Sequence, residues 1–152
     1  MIRLLKLMHF TGLILFLGSI LTFVAVSFLS EKATLAELAF ARKIISFGTQ
    51  FITTPGLWLL VLTGNAMSLK KYGINNKFVR IKIFLAALIL ANTYIMILPA
   101  VAEATALAIN SLQQGELNVL YKTAYMKETV FGAINVILTF SAMAVSIWRK
   151  GK

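Results

Sequence analysis

The sequence predicts an all-α polytopic membrane protein, a four-transmembrane-helix bundle with both termini cytoplasmic. Three observations carry that prediction. The 152 residues are 59% hydrophobic and 13% charged, with a mean hydropathy of +0.86; a soluble domain is about half apolar and about a quarter charged. So little polar surface cannot cover so much apolar mass, which excludes a water-soluble fold and a disordered chain alike. Four stretches contain no Asp, Glu, Lys or Arg: residues 7–30, 44–69, 83–102 and 129–148, of 24, 26, 20 and 20 residues. A helix rises about 1.5 Å per residue, so about 20 residues cross a hydrocarbon core of about 30 Å. The stretches do not alternate in polarity, and a spanning barrel needs at least about eight strands.

The third observation is where the charges fall. Arg3, Lys6, Lys70, Lys71, Lys77, Arg80, Lys82, Arg149, Lys150 and Lys152 form one set, ten positive and none negative. Lys32, Arg42, Lys43, Lys122 and Lys127 stand with Glu31, Glu37, Glu103, Glu116 and Glu128 in the other, five against five. All of the +10 net charge therefore sits at the N-terminus, the loop between the second and third spans, and the C-terminus. The positive-inside rule puts those three segments in the cytoplasm, and an even number of spans follows. The expected partner of these cations is a bilayer with anionic headgroups, not nucleic acid.

The chain reads as a single domain, residues 1–152, with helices at about 4–30, 35–69, 80–112 and 117–148. The first stretch is too long for a signal-peptide core and lacks a small-x-small cleavage site, so it is expected to remain as the first helix. Thr34-Leu35-Ala36-Glu37 has the spacing of a capping box and starts the second helix outside the membrane. Pro55-Gly56 falls near the middle of that helix; the missing N–H and the clash with the carbonyl four residues back predict a bend there. Gly73 with Asn75-Asn76 marks the next turn, and Gln113-Gln114-Gly115 the stop of the third helix. The fourth ends in Trp148-Arg149-Lys150, an interfacial anchor.

Each helix carries polar or small residues at helical spacing. These are His9, Gly12, Gly18, Ser19 and Thr22; Ser46, Thr49, Gln50, Thr53 and Thr54; Asn92, Pro99 and Glu103; and Glu128, Asn135, Thr139 and Ser146. Such residues turn toward neighbouring helices or a cavity. Arg42 and Lys43 are placed to pair with Glu103 and Glu128 across the helix ends. The chain has no cysteine and one histidine, which excludes disulfides, iron–sulfur clusters and any site built from two histidines of one chain. No phosphate loop, HExxH or paired intramembrane carboxylate is present.

His9, about one turn inside the first helix, is the leading chemical candidate, because an ionisable residue within a span points to function and imidazole is a common haem-iron ligand. Gly12, three residues on and on the same face, would let a flat macrocycle approach the backbone. Lys82 opens the third helix on the same side and would meet a propionate; otherwise it snorkels to headgroups. Met8, Met96 and Met143 are candidate thioether ligands. A space opened by the bend at Pro55 is expected at mid-depth between the first three helices, beside residues 16–19, and would receive the apolar edge of a haem held at His9.

Leu4-Leu5-Lys6-Leu7-Met8-His9-Phe10-Thr11-Gly12, followed by Gly18, resembles the first helix of small bacterial four-helix membrane proteins that open with "HxxG…G". Thr53-Thr54-Pro55-Gly56, continuing to Thr63-Gly64, looks like their "PG…TG" second helix, and Arg80-Ile81-Lys82-Ile83-Phe84-Leu85 resembles the opening of their third. The set includes a membrane-protein family of unknown function and, more distantly, HemJ-type protoporphyrinogen oxidases and CopD-type membrane proteins. The resemblance implies a bacterial inner-membrane protein that binds haem b, with His9 as the iron ligand and Lys82 on the functional lysine of the third helix. One histidine per chain allows a five-coordinate or His/Met iron, or a homodimer in which haem meets His9 of two copies. The alternative expectation is a scaffold or transport accessory whose polar stripes are packing contacts.

Overall fold

The computed structural model describes residues 2–30 and 32–148. Arg149, Lys150 and Lys152 of the basic C-terminal cluster, and Glu31, lie outside them. The described chain is all-helical, and four helices are long and apolar enough to cross a membrane: α1 (Ile2–Ser30), α2 (Leu35–Tyr72), α3 (Lys77–Gln114) and α4 (Val119–Ile147). Ile14, Leu21, Phe28, Phe84, Ile95 and Ile137 are between 62% and 72% exposed on the outside of the bundle. A surface of that kind is compatible with helices that face lipid.

The helix ends follow from local chemistry. The Thr34 side chain accepts from the Glu37 N–H while the Glu37 carboxylate accepts from the Thr34 N–H, the reciprocal capping box that starts α2. Asn76 accepts from the Phe78 N–H at 3.0 Å and Asn118 from the Leu120 N–H at 2.9 Å, so α3 starts at Lys77, about a turn before the expected residue 80, and α4 at Val119, two residues after the expected 117. Gly115 ends α3 at φ +79°, a conformation that favours glycine over any residue with a Cβ.

Both membrane prolines are accommodated in the same way. Thr49–Thr53 in α2 and Thr93–Ile97 in α3 are π-helical, with the Thr54 N–H bonded to the Thr49 carbonyl and the Leu98 N–H to the Thr93 carbonyl, five residues back. One extra residue in the turn takes the strain of the missing proline donor and the crowded carbonyl. The Thr54 hydroxyl also bonds the Thr49 carbonyl, at 2.9 Å. Pro55 and Pro99 themselves are exposed on the outside of the bundle.

α1 packs chiefly along α2, α3 along α4, and α2 against α3, whereas α1 and α4 barely touch. The α1–α2 contact is backbone-close: a Cβ on Gly12 would lie 2.7 Å from the Leu60 nitrogen, and one on Gly56 would lie 2.9 Å from the Phe16 nitrogen. Small residues let two backbones approach where lipid supplies no hydrophobic force between helices. At the end carrying the α1–α2 and α3–α4 turns, the far end, the buried residues are largely alanines: Ala39, Ala41, Ala100, Ala104, Ala108 and Ala124. At mid-depth Phe16, Leu57 and Ile89 form the hydrophobic core, with Leu138 of α4 packed against it. This layer pins an otherwise open α1–α4 seam at its middle.

Candidate functional site

The seam holds two cavities, one on either side of the Phe16–Leu57–Ile89 layer. The near cavity, toward the N-terminus and the α2–α3 turn, has a volume of about 240 Å³, and His9, Lys82 and Met143 all lie on its wall. Most of the remaining wall is aliphatic, including Leu13, Val61 and Ala86. Residues of both α1 and α4 line it, so the cavity lies at the α1–α4 seam.

His9 is half-buried and held through one nitrogen. Its Nδ1 lies 3.1 Å from the Leu60 carbonyl oxygen and 3.2 Å from the Thr63 hydroxyl. A carbonyl only accepts, so Nδ1 carries the hydrogen and Nε2 carries the free lone pair, a tautomer assigned from these partners. The Thr63 hydroxyl in turn donates to the Leu59 carbonyl, which leaves its oxygen to accept from His9. The imidazole lies against Gly64, where a Cβ would come within 2.8 Å of Cε1. A histidine whose other N–H is fixed by a backbone carbonyl is the usual form of a metal-ligating histidine.

Lys82 is half-buried beside it. Its Nζ donates to the Ser68 hydroxyl at 3.3 Å, Ser68 donates to the Gly64 carbonyl at 2.9 Å, and the ammonium stands 5.6 Å from the centre of the Phe78 ring. Among the described residues the ion pairs join Arg42 to Glu128 and Lys127 to Glu103, and no carboxylate meets Lys82. One ammonium therefore faces an apolar cavity without a counter-ion, a few turns from an imidazole lone pair.

Two of the expected placements are corrected. Gly12 is not on the cavity wall; it is buried against the backbone of α2, so its missing side chain serves helix packing and not a macrocycle. Nor does a space at Pro55 receive an occupant of the His9 cavity. Pro55 faces outward, and mid-depth is filled by Phe16, Leu57 and Ile89, which are 1%, 0% and 4% exposed. The π turn takes up the proline locally, and the space beside it, bounded by Phe16, Thr49 and Thr53, lies across the Phe16–Leu57–Ile89 layer from His9.

Sequence reasoning missed Leu60, Thr63 and Gly64 as the groups that orient His9. Their signal was the spacing Gly56, Leu60, Thr63 and Gly64, offsets of four and then three or four, which puts them on one helical face. Met143 lies on the near cavity, whereas Met8 and Met96 do not. Among the described residues no group of three or more His, Cys, Asp or Glu is placed to hold a metal ion. Comparison with protein-family models, with curated proteins and with solved structures gives no match.

The far cavity, about 340 Å³, is bounded by both π segments through Thr49, Thr53, Thr93 and Ile97, and by Tyr125, Glu128 and Asn135 of α4. Arg42 is fully buried next to it and pairs with Glu128 through both terminal nitrogens. The expected ion pair across the helix ends is therefore Arg42–Glu128; Glu103 instead meets Lys127 of α4 at 3.7 Å, with both side chains about half exposed, and Lys43 is exposed. Asn92 donates to the Asn135 side chain at 2.7 Å and Asn135 donates to the Thr93 hydroxyl at 2.7 Å, so the polar stripes of α3 and α4 satisfy each other.

Proposed function

We propose that the protein is a haem-b-binding, redox-active membrane protein of the bacterial inner membrane. His9 would hold the iron, Lys82 would meet a propionate, and Met143, on the same cavity wall, is the in-chain candidate for a second ligand. The observation that carries this reading is the His9 ring, anchored through Nδ1 to Leu60 and Thr63 on the wall of an apolar cavity at the α1–α4 seam. The residues fit the group: a neutral imidazole with a free Nε2, an ammonium without a counter-ion, and an aliphatic wall that excludes water. The Leu60 carbonyl fixes the plane of the imidazole. Lys82 attracts the carboxylate end of a ligand to the side of the bundle where basic residues cluster. Bound there, haem supplies one-electron chemistry, and the aliphatic wall tunes its potential.

Protein purified from haem-supplied cells is expected to show a Soret band and a reduced-state α band. A colourless protein after haem supply and hemin titration would overturn the reading in favour of a cofactor-free scaffold. Gly64→Ala tests the support of the ligand separately. The added methyl group would come within 2.8 Å of Cε1, so the ring must turn and its bond to Leu60 lengthens. Haem affinity should fall about tenfold, with a shifted Soret maximum, as when an outer-shell partner of a ligand is lost.

The reading also includes an orientation: both termini and the α2–α3 turn in the cytoplasm, with Arg3, Lys6, Lys70, Lys71, Lys77 and Arg80 on that side. A reporter fused after Lys152 or inserted near Asn75 is expected to report the cytoplasm, and one inserted near Gly115 the opposite side. Reporters after Lys152 and near Gly115 that agree with one another would refute it.

A further inference from the structure

The far cavity is a second binding site, separated from His9 by the Phe16–Leu57–Ile89 layer. We propose that it takes a neutral, lipid-soluble ring compound with a hydrogen-bond-accepting carbonyl, of the quinone class. The argument begins with charge. Glu128 on its wall is neutralised by the buried Arg42, so the cavity holds a closed ion pair and favours neither a cation nor an anion. An amphiphilic amine or a fatty acid would bury an uncompensated charge there, whereas a neutral head does not.

The second step is a donor without an acceptor. Thr49 is 6% exposed, lies on the cavity wall, and its hydroxyl makes no hydrogen bond among the described residues. The other buried threonine hydroxyls are all engaged. Thr53 shares a bond of 2.8 Å with Ser19, Thr93 and Thr139 bond carbonyls of their own helices at 2.8 Å, and Thr63 and Thr105 do likewise. Thr49 opens the π turn of α2, its carbonyl is taken by Thr54, and it lies on the cavity wall. π turns inserted in α-helices recur at functional sites, and here two of them face one space. Buried polar atoms normally have partners, so an open hydroxyl in an apolar cavity marks where a ligand acceptor belongs.

The third step is shape. Phe16, Phe23 and Tyr125 supply aromatic surface. At Gly132 an added Cβ would meet nothing within 4 Å, so the wall is set back where a flat ring can lie. Entry is through the α1–α4 seam, directly from lipid, which selects for a membrane-soluble molecule.

The test uses the whole protein in nanodiscs and an azidoquinone photoprobe, with labelled residues mapped by mass spectrometry. Labelling is expected on the α2 and α4 peptides that contain Thr49 and Asn135, with protection by excess decylubiquinone and none by dodecylamine or dodecanoate. Thr49→Val should weaken binding about threefold to tenfold, the effect of one neutral hydrogen bond, and Thr49→Ser should retain it. Gly132→Leu, whose Cβ meets nothing within 4 Å and whose side chain would extend into the cavity, should abolish labelling while the helical content stays unchanged. His9→Ala should leave labelling intact, so failure of the haem reading and failure of this one are separate results. Labelling confined to the near cavity, labelling indifferent to both Thr49→Val and Gly132→Leu, or equal protection by the charged amphiphiles would overturn the proposal.

Discussion

His9→Ala protein, expressed with haem supplied, is expected to be colourless and to keep its helical content. Alanine removes the only imidazole in the chain. The carbonyl of Leu60 and the hydroxyl of Thr63 lose a donor but remain bonded within α2, because Thr63 still donates to Leu59. The fold should therefore survive a substitution that weakens haem binding by about 100-fold or more. The vacated space lies between Gly64 and the cavity, so free imidazole added to the variant should restore the Soret band in part. Optical titration with hemin, with and without imidazole, reads both effects. An unchanged Soret band in His9→Ala would place any haem elsewhere.

Arg42→Leu should be the most destabilising single substitution in the bundle. It leaves the Glu128 carboxylate, which is 15% exposed, facing an apolar cavity without its cation. Removing one member of a buried pair costs about 3–5 kcal/mol. The double substitution Arg42→Leu with Glu128→Leu should recover most of that loss, because a buried pair is roughly neutral against apolar residues of similar volume. The Arg42 Nε is buried and without a partner among the described residues, a cost in the wild type that the double substitution also removes. Thermal unfolding in detergent of the two single variants and the double variant gives the coupling. A double variant as unstable as Arg42→Leu would show that Arg42 acts through packing, not through its pair.

Much of the fold was legible because composition and charge in a membrane protein act over long stretches. The uncharged runs lie within the four long helices, and the capping box at Thr34 and the stop at Gly115, which are local signals, each lie at a helix end in the structure. His9 and Lys82 were legible as candidates because ionisable residues near a span stand out against an apolar background, and the fold brings both to one cavity. The residues that orient them were not legible. Gly64 and Thr63 act through a Cβ that is missing and a hydroxyl that points inward, and both depend on which face of α2 meets α1. Gly12 shows the same limit from the other side: a glycine one turn from a histidine suits a ligand or a neighbouring helix equally, and only the position of α2 decides between them. Pro55 was legible as a disturbance, but its form was not, since a bend and a π turn begin from the same missing donor.

The π turns also change how α2 keeps its phase. Thr49 and Thr53 are buried while Gln50, which shares their nominal stripe, is exposed. The inserted residue splits α2 into two amphipathic halves set to different neighbours: Arg42 and Ile45 face α3 and α4 beyond the π turn, while Leu60, Thr63 and Gly64 face α1 before it. Each residue of an α-helix advances the azimuth by about 100°. Deleting any one residue between Thr49 and Thr53 would restore an unbroken α-helix and swing the Arg42 side about 100° away from Glu128, while leaving the partners of His9 where they are. The two ends of this one helix are thus registered independently, and the count of residues between them, not their identity, sets the angle at which the halves of the bundle meet.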